Sequence, residues 1–245
     1  MGDSIISSFQ RYEVKYFLTP EQRASLMPVL EAHFQMDEYG LHTISNLYYD
    51  TDNYEITRNS IDRPVYKEKL RVRAYGVPQP ETGRVFVELK KKYEHVVYKR
   101  RIALPVAEAD RLLNHGEDPP GADPQITHEI RHFMEHYQPK PKVYLSYRRI
   151  AMAGIEDPEL RITMDQELLW RTEDLDLTHG SYGRHILPEE TTLMEIKVPG
   201  AMPLWLARAL SDREIYRTSF SKIGACYTRF ILPTIFEEKG VTPHV

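Results

Sequence analysis

The residues best equipped for chemistry are cations set two apart. In VYKEKLRVRAYG, residues 65–76, Lys67, Lys69, Arg71 and Arg73 alternate with Tyr66, Glu68, Leu70, Val72 and Ala74. Further cations come from distant parts of the chain: Lys15, Lys90, Lys99 with Arg101, Arg149, Arg161, Lys197 and Lys222. Arg presents a planar fork matched to phosphate oxygens and Lys a compact point charge, so a mixture suits a substrate with several phosphates in series. Carboxylates are fewer and lie beside the cations: Glu13, Glu88, Glu195 and Asp165. Glu13-Val-Lys15, Glu88-Leu-Lys90 and Glu195-Ile-Lys197 each put a carboxylate and an ammonium on one strand face. Such oxygen ligands suit Mg2+ or Mn2+, ions usually held by one or two carboxylates plus substrate phosphates. Each pair alone is equally an ordinary surface ion pair worth about 0–1 kcal/mol. Ser219 and Ser221 precede Lys222 as good helix N-caps. Free N–H groups at a helix start also attract phosphate, so the residues leave plain capping and anion binding both open.

Other chemistries find little support. There is no G-x-x-x-x-G-K-[ST] or G-x-G-x-x-G loop, and the ten histidines are scattered without an H-E-x-x-H. Cys226 is the one cysteine, which excludes an internal disulfide and reads as a buried thiol. The tyrosines mostly alternate into apolar faces, where core packing is their first reading. A chain of 245 residues with 41% hydrophobic and 28% charged residues is expected to fold as a single domain over 1–245. No apolar run approaches a membrane span, the N-terminus lacks a signal-peptide pattern, and a reducing, cytoplasmic setting is the default. The net charge is −4, so the clustered cations suggest a focused anion site rather than a basic coat for nucleic acid.

These residues must be positioned mainly by strands. RYEVKYFL, RVFVELKKK, ELRITMD and TLMEIKV all alternate an ionised with an apolar face. An antiparallel sheet with one wet face would explain each strand singly. The set fits better as an α+β barrel with ionised faces inward and helices packed outside, because like charges repel along a strand face without a counter-charge. Helices are expected from Pro20 to about Phe34, capped by Thr19, and at 51–59, 105–114, 127–137, 203–212 and 221–231. Loops are expected at 76–84, 114–125 and 179–189.

In order and spacing, RYEVKYFL, SNLYYDTDNYE, KLRVRAYG, VFVELKKK, VYKRRIAL, YLSYRRIAM, LRITMD, LMEIKVPG and FSKIGACY resemble the VTC domain, the catalytic module of the vacuolar transporter chaperone complex that makes polyphosphate. The likeness runs from about Phe9 to Ile231 and is to a stand-alone, bacterial-type member of the wider triphosphate tunnel metalloenzyme group. It implies an antiparallel β-barrel tunnel with a basic lumen. It implies catalytic roles at Lys15, Arg71, Arg73, Lys90, Lys99, Arg149, Arg161 and Glu195. Lys69, Arg101, Lys197, Ser221 and Lys222 would add phosphate contacts. Glu195 matches the family's metal-binding glutamate and Glu13 the first glutamate of an E-x-E-x-K motif. The match is partial, because a second carboxylate is missing at Arg11, which favours the VTC branch over cyclase and thiamine-triphosphatase relatives and leaves the metal count open. The implied activity is transfer of the ATP γ-phosphate to a phosphate chain with Mn2+ or Mg2+. A triphosphatase of the same fold and a non-catalytic polyphosphate-binding domain are the alternatives. The implied partners are ATP or another triphosphate, polyphosphate and a separate membrane protein, with no specific nucleic acid.

Overall fold

The computed structural model describes residues 12–62, 64–94 and 96–238; Arg11 lies outside them. In chain order the elements are β1 (Tyr12–Leu18), α1 (Pro20–Glu31), β2 (Phe34–Met36), β3 (His42–Asp50), α2 (Glu55–Ile61), β4 (Tyr66–Tyr75), β5 (Arg84–Tyr93), β6 (Val96–Pro105), α3 (Val106–Asp110), α4 (Pro124–Tyr137), β7 (Lys140–Gly154), β8 (Arg161–Arg171), β9 (Arg184–His185), β10 (Thr192–Val198), α5 (Leu204–Ser211), β11 (Arg217–Thr218), α6 (Lys222–Cys226) and α7 (Leu232–Glu238). This is the expected α+β class, with antiparallel strands and helices packed on their apolar face, but the expected barrel does not close: among the described residues the strand path runs from β11 to β6 and these two ends do not pair. The chain forms two compact units. The first contains residues to His42, Arg148–Glu167 and Leu187–Ser219; the second contains Thr43–Tyr147, Leu168–Ile186 and the chain from Phe220.

In the first unit the ladder runs β11-β1-β10-β8 and on to the later half of β7, whose end pairs with β2. Register sets Lys15 opposite Glu195 and Glu195 opposite Thr163. One residue over, Tyr16, Met194 and Met164 line up on the other face, where they join a core with Leu18, Ile162, Ile196 and Val198. Leu26 and Leu30 of α1 and Leu206 and Leu210 of α5 cover that core. Each such leucine contributes about 1.5–3 kcal/mol by leaving water. Thr19 caps α1 in a capping box with Gln22, and Pro20 begins the helix as expected. The helix stops at Glu31 rather than near Phe34, because Phe34 pairs with Gly154 as the first residue of β2.

In the second unit the ladder runs from the first half of β7 through β3 and β4 to β5 and β6. Leu70, Val72, Val85, Val87, Leu89, Ile102 and Leu104 form its apolar face. Ile130 and Phe133 of α4 pack on it, with Leu112 and Leu113 beside them. α4 starts at Pro124, earlier than expected, because Asp123 accepts from the Gln125 and Ile126 N–H groups. The helix expected at 105–114 is α3 followed by a π turn at Arg111–His115. The expected loop at 179–189 contains β9, which pairs with the end of β8. Gly183 makes that approach possible, since its φ is 147° and a side chain there would strike the Trp170 backbone.

Candidate anion site and metal-binding carboxylates

In the second unit, β4, β5 and β6 lie side by side with matched faces. Lys67 pairs with Lys92, Lys69 with Lys90, Arg71 with Glu88 and Arg73 with Phe86. The next strand continues the rows: Lys90 faces Lys99 and Glu88 faces Arg101. From the Lys67 row to the Arg73 row this face therefore carries eight cations and one carboxylate. Glu88 is 1% exposed and gathers cations from both neighbouring strands. Its Oε2 lies 2.7 Å from Arg71 Nη2 and 3.8 Å from Arg73 Nε. Its Oε1 lies 2.8 Å from Lys99 Nζ and 3.2 Å from Arg101 Nε. Burial alone would raise the Glu88 pKa, but Arg71, Arg73 and Lys99 overcome it and hold the carboxyl at about 2.

Aromatic and amide groups fix the guanidinium planes. Arg73 donates to Asn46 Oδ1 at 3.0 Å and to the Tyr147 hydroxyl at 3.3 Å. Arg71 donates to the Tyr48 hydroxyl at 3.1 Å. Arg101 stacks over Phe86 at 3.7 Å and donates to the Tyr75 hydroxyl. Lys222 lies over the Tyr147 ring at 4.8 Å, which brings it to the same tyrosine as Arg73. Ser221 accepts from the Gly224 N–H at 3.3 Å, the plain capping arrangement. Lys90 is exposed on its strand.

The first unit brings together a chain of alternating charges. Arg149 forks onto Asp165 at 2.6 and 2.7 Å. Its Nη2 lies 3.8 Å from Glu195 Oε2. Lys15 donates to Glu195 and to Glu13, both at 2.6 Å. The two carboxylates thus converge on one ammonium. Lys197 sits opposite both Glu13 and Arg161 in register. Arg161 is exposed and donates to the Pro158 carbonyl at 3.2 Å. Thr163, opposite Glu195, has a buried hydroxyl without a hydrogen-bond partner among the described residues.

Glu13 and Glu195 are hard oxygen donors already converging on one cation, Lys15, and the unpartnered Thr163 hydroxyl stands opposite Glu195 in register, so these groups fit a divalent ion completed by substrate oxygens. They do not fit a closed protein cage: among the described residues no group of three or more His, Cys, Asp or Glu side chains could hold a metal.

Sequence reasoning missed Asn46, Tyr48 and Tyr147. Alternation did carry the signal, since Tyr147 has the parity of Arg149, and Asn46 and Tyr48 pair with Arg73 and Arg71. Reading tyrosines as core residues hid it.

The antiparallel α+β fold is that of the triphosphate tunnel class. A crystal structure of a Bacillus halodurans protein provisionally described as an adenylate cyclase shares it, with a TM-score of 0.54, 17% identity, and coverage of 89% of this chain and 95% of that one. An X-ray structure of a Vibrio parahaemolyticus protein with the same provisional description has a TM-score of 0.45 at 14% identity, covering 89% of this chain and 97% of that one. No curated protein matches the sequence. The VTC domain family model matches residues 10–231, and the chain belongs to that family.

Proposed function

We propose that this protein is a metal-dependent phosphotransferase that passes the γ-phosphate of ATP to a phosphate chain. The observation that carries this reading is the β4–β5–β6 face with its eight cations and single carboxylate. Like charges opposed across strands destabilise a sheet, and partly buried cations need a counter-charge. A ligand with several anionic groups in series supplies it. Phosphoryl transfer asks little covalent chemistry of a protein and relies on positioning and charge neutralisation.

In the second unit Arg71, Arg73, Lys90 and Lys99 would hold phosphate oxygens, with Lys69, Arg101, Lys222 and Ser221 beside them. In the first unit Lys15, Arg149, Arg161 and Lys197 would serve the same end. Glu195 and Glu13 would hold Mn2+ or Mg2+, which when bound supplies positive charge to phosphate oxygens. A pure anion receptor gains nothing from two carboxylates drawing on one of its cations, so Glu13 and Glu195 on Lys15 favour an enzyme. The test is to incubate the protein with ATP and Mn2+ and separate the products. Long polyphosphate is the expected product. Orthophosphate alone would make water the acceptor and the protein a triphosphatase. Bound but unconverted ATP would overturn the enzyme reading in favour of a receptor.

A further inference from the structure

Lys69 is partly buried, whereas Lys90, the cation it faces, is exposed. Lys69 is flanked on β4 by Lys67 and Arg71, faces Lys90 on β5, and Lys90 in turn faces Lys99 on β6. Three ammonium groups therefore stand abreast on three neighbouring strands. Lys99 reaches one row across to Glu88. Glu88 also serves Arg71, Arg73 and Arg101, and no carboxylate pairs with Lys69 among the described residues. Among the groups that act most strongly on Lys69, Tyr48 favours its charge, while Lys67, Lys90 and Arg71 oppose it. Burial first, and these cations after it, push the Lys69 pKa down to about 8.

We propose that binding of a triphosphate to this row is coupled to uptake of one proton by Lys69. The inference rests on the triphosphate reading above. An anion laid along the row replaces the missing counter-charge and restores the ammonium. Below pH 8 the proton is already present, and binding takes up little. Above pH 8 the free site has lost it, and the bound site regains it. Affinity should then fall about tenfold between pH 7 and pH 9, with close to one proton taken up per site at pH 9. A phosphate monoester, with its second pKa near 6, is fully ionised there and does not mask the effect.

The test is calorimetric titration of ATP, with EDTA present, in buffers of different ionisation heat at pH 7 and pH 9. Wild-type protein should show proton uptake at pH 9 only. Lys69→Arg, which keeps the charge at every pH in this range, should bind at pH 9 at least as tightly as wild type with no uptake. Lys69→Met should bind more weakly at pH 7 and lose the pH dependence. ATP binding without uptake at pH 9, or uptake that persists in Lys69→Arg, would overturn the coupling while leaving triphosphate binding intact. Absence of ATP binding at either pH would instead overturn the functional reading on which it rests.

Discussion

Arg73 is the most withdrawn member of its row, with a side chain 9% exposed and held by Asn46, Tyr147 and Glu88. A charge-assisted bond from such a preorganised group is worth about 1.5–3 kcal/mol. Arg73→Ala should therefore weaken ATP binding by roughly 10- to 150-fold, read by titration at moderate salt. Equal affinities would remove Arg73 from the site. Glu195 carries the opposite expectation. On the function proposed above, its charge would repel phosphate unless a metal intervenes, so Glu195→Gln should abolish Mn2+-dependent turnover while ATP binding without metal is kept or improved. Were Glu195 merely the ion-pair partner of Lys15, the amide would cost a little stability and leave turnover and its metal dependence at wild-type levels. Assaying ATP turnover against Mn2+ concentration in both proteins separates the two.

At the scale of elements, α2 shows how a buried charge builds a helix. Its own N-cap position, Tyr54, is left-handed at φ 58° and provides no side-chain cap. Asp50, at the end of β3, does so from further back, accepting from the Thr51, Ile56 and Thr57 N–H groups at 2.8, 2.9 and 2.9 Å. Ser60, in the last turn of α2, accepts from Lys67 at 3.0 Å, so the helix also steadies the first cation of the β4 row. Asp50→Asn keeps one acceptor oxygen but sets an amide N–H donor against at least one of these backbone N–H groups. It should cost about 2 kcal/mol or more and lower the melting temperature by about 4–8 °C. An unchanged melt would show that α2 holds without this cap. The β4 row was readable because period two survives in sequence, as Lys67, Lys69, Arg71 and Arg73 demonstrate. The Asp50 cap was not, since it acts across several residues and through a left-handed tyrosine. The role of Glu88 was equally hidden: an E-x-K pattern does not reveal that register brings Arg71 and Arg101 to either side of one carboxylate.

For the molecule as a whole, the charged groups set a dome of stability against pH whose limbs have different owners. Glu88 is depressed to about 2 in the fold, so its contribution is present above the ordinary glutamate range and is lost as pH falls through that range toward 2. A shift of that size corresponds to about 3 kcal/mol. Tyr54 and Tyr137 are pushed up to about 12, chiefly by burial, and Tyr49 and Cys226 are raised for the same reason. Groups of this kind stabilise the fold while neutral, and their contribution is lost as pH rises above their unfolded values. Lys69 works against that alkaline loss. Its ammonium, disfavoured by burial and neighbouring cations, is relieved as pH passes 8, so stability should gain between about pH 8 and 10 before the tyrosines dominate. Thermal melts from pH 2 to 11 should thus show a steep acid limb and a later alkaline one. Glu88→Gln should flatten the acid limb between about pH 4.5 and 2.5, and Tyr54→Phe the alkaline limb above about pH 10. An acid limb as steep in Glu88→Gln as in wild type would mean that the four cations around Glu88 draw little net stability from it. The basic face would then be held in place chiefly by its neutral partners, Asn46, Tyr48, Tyr75 and Tyr147.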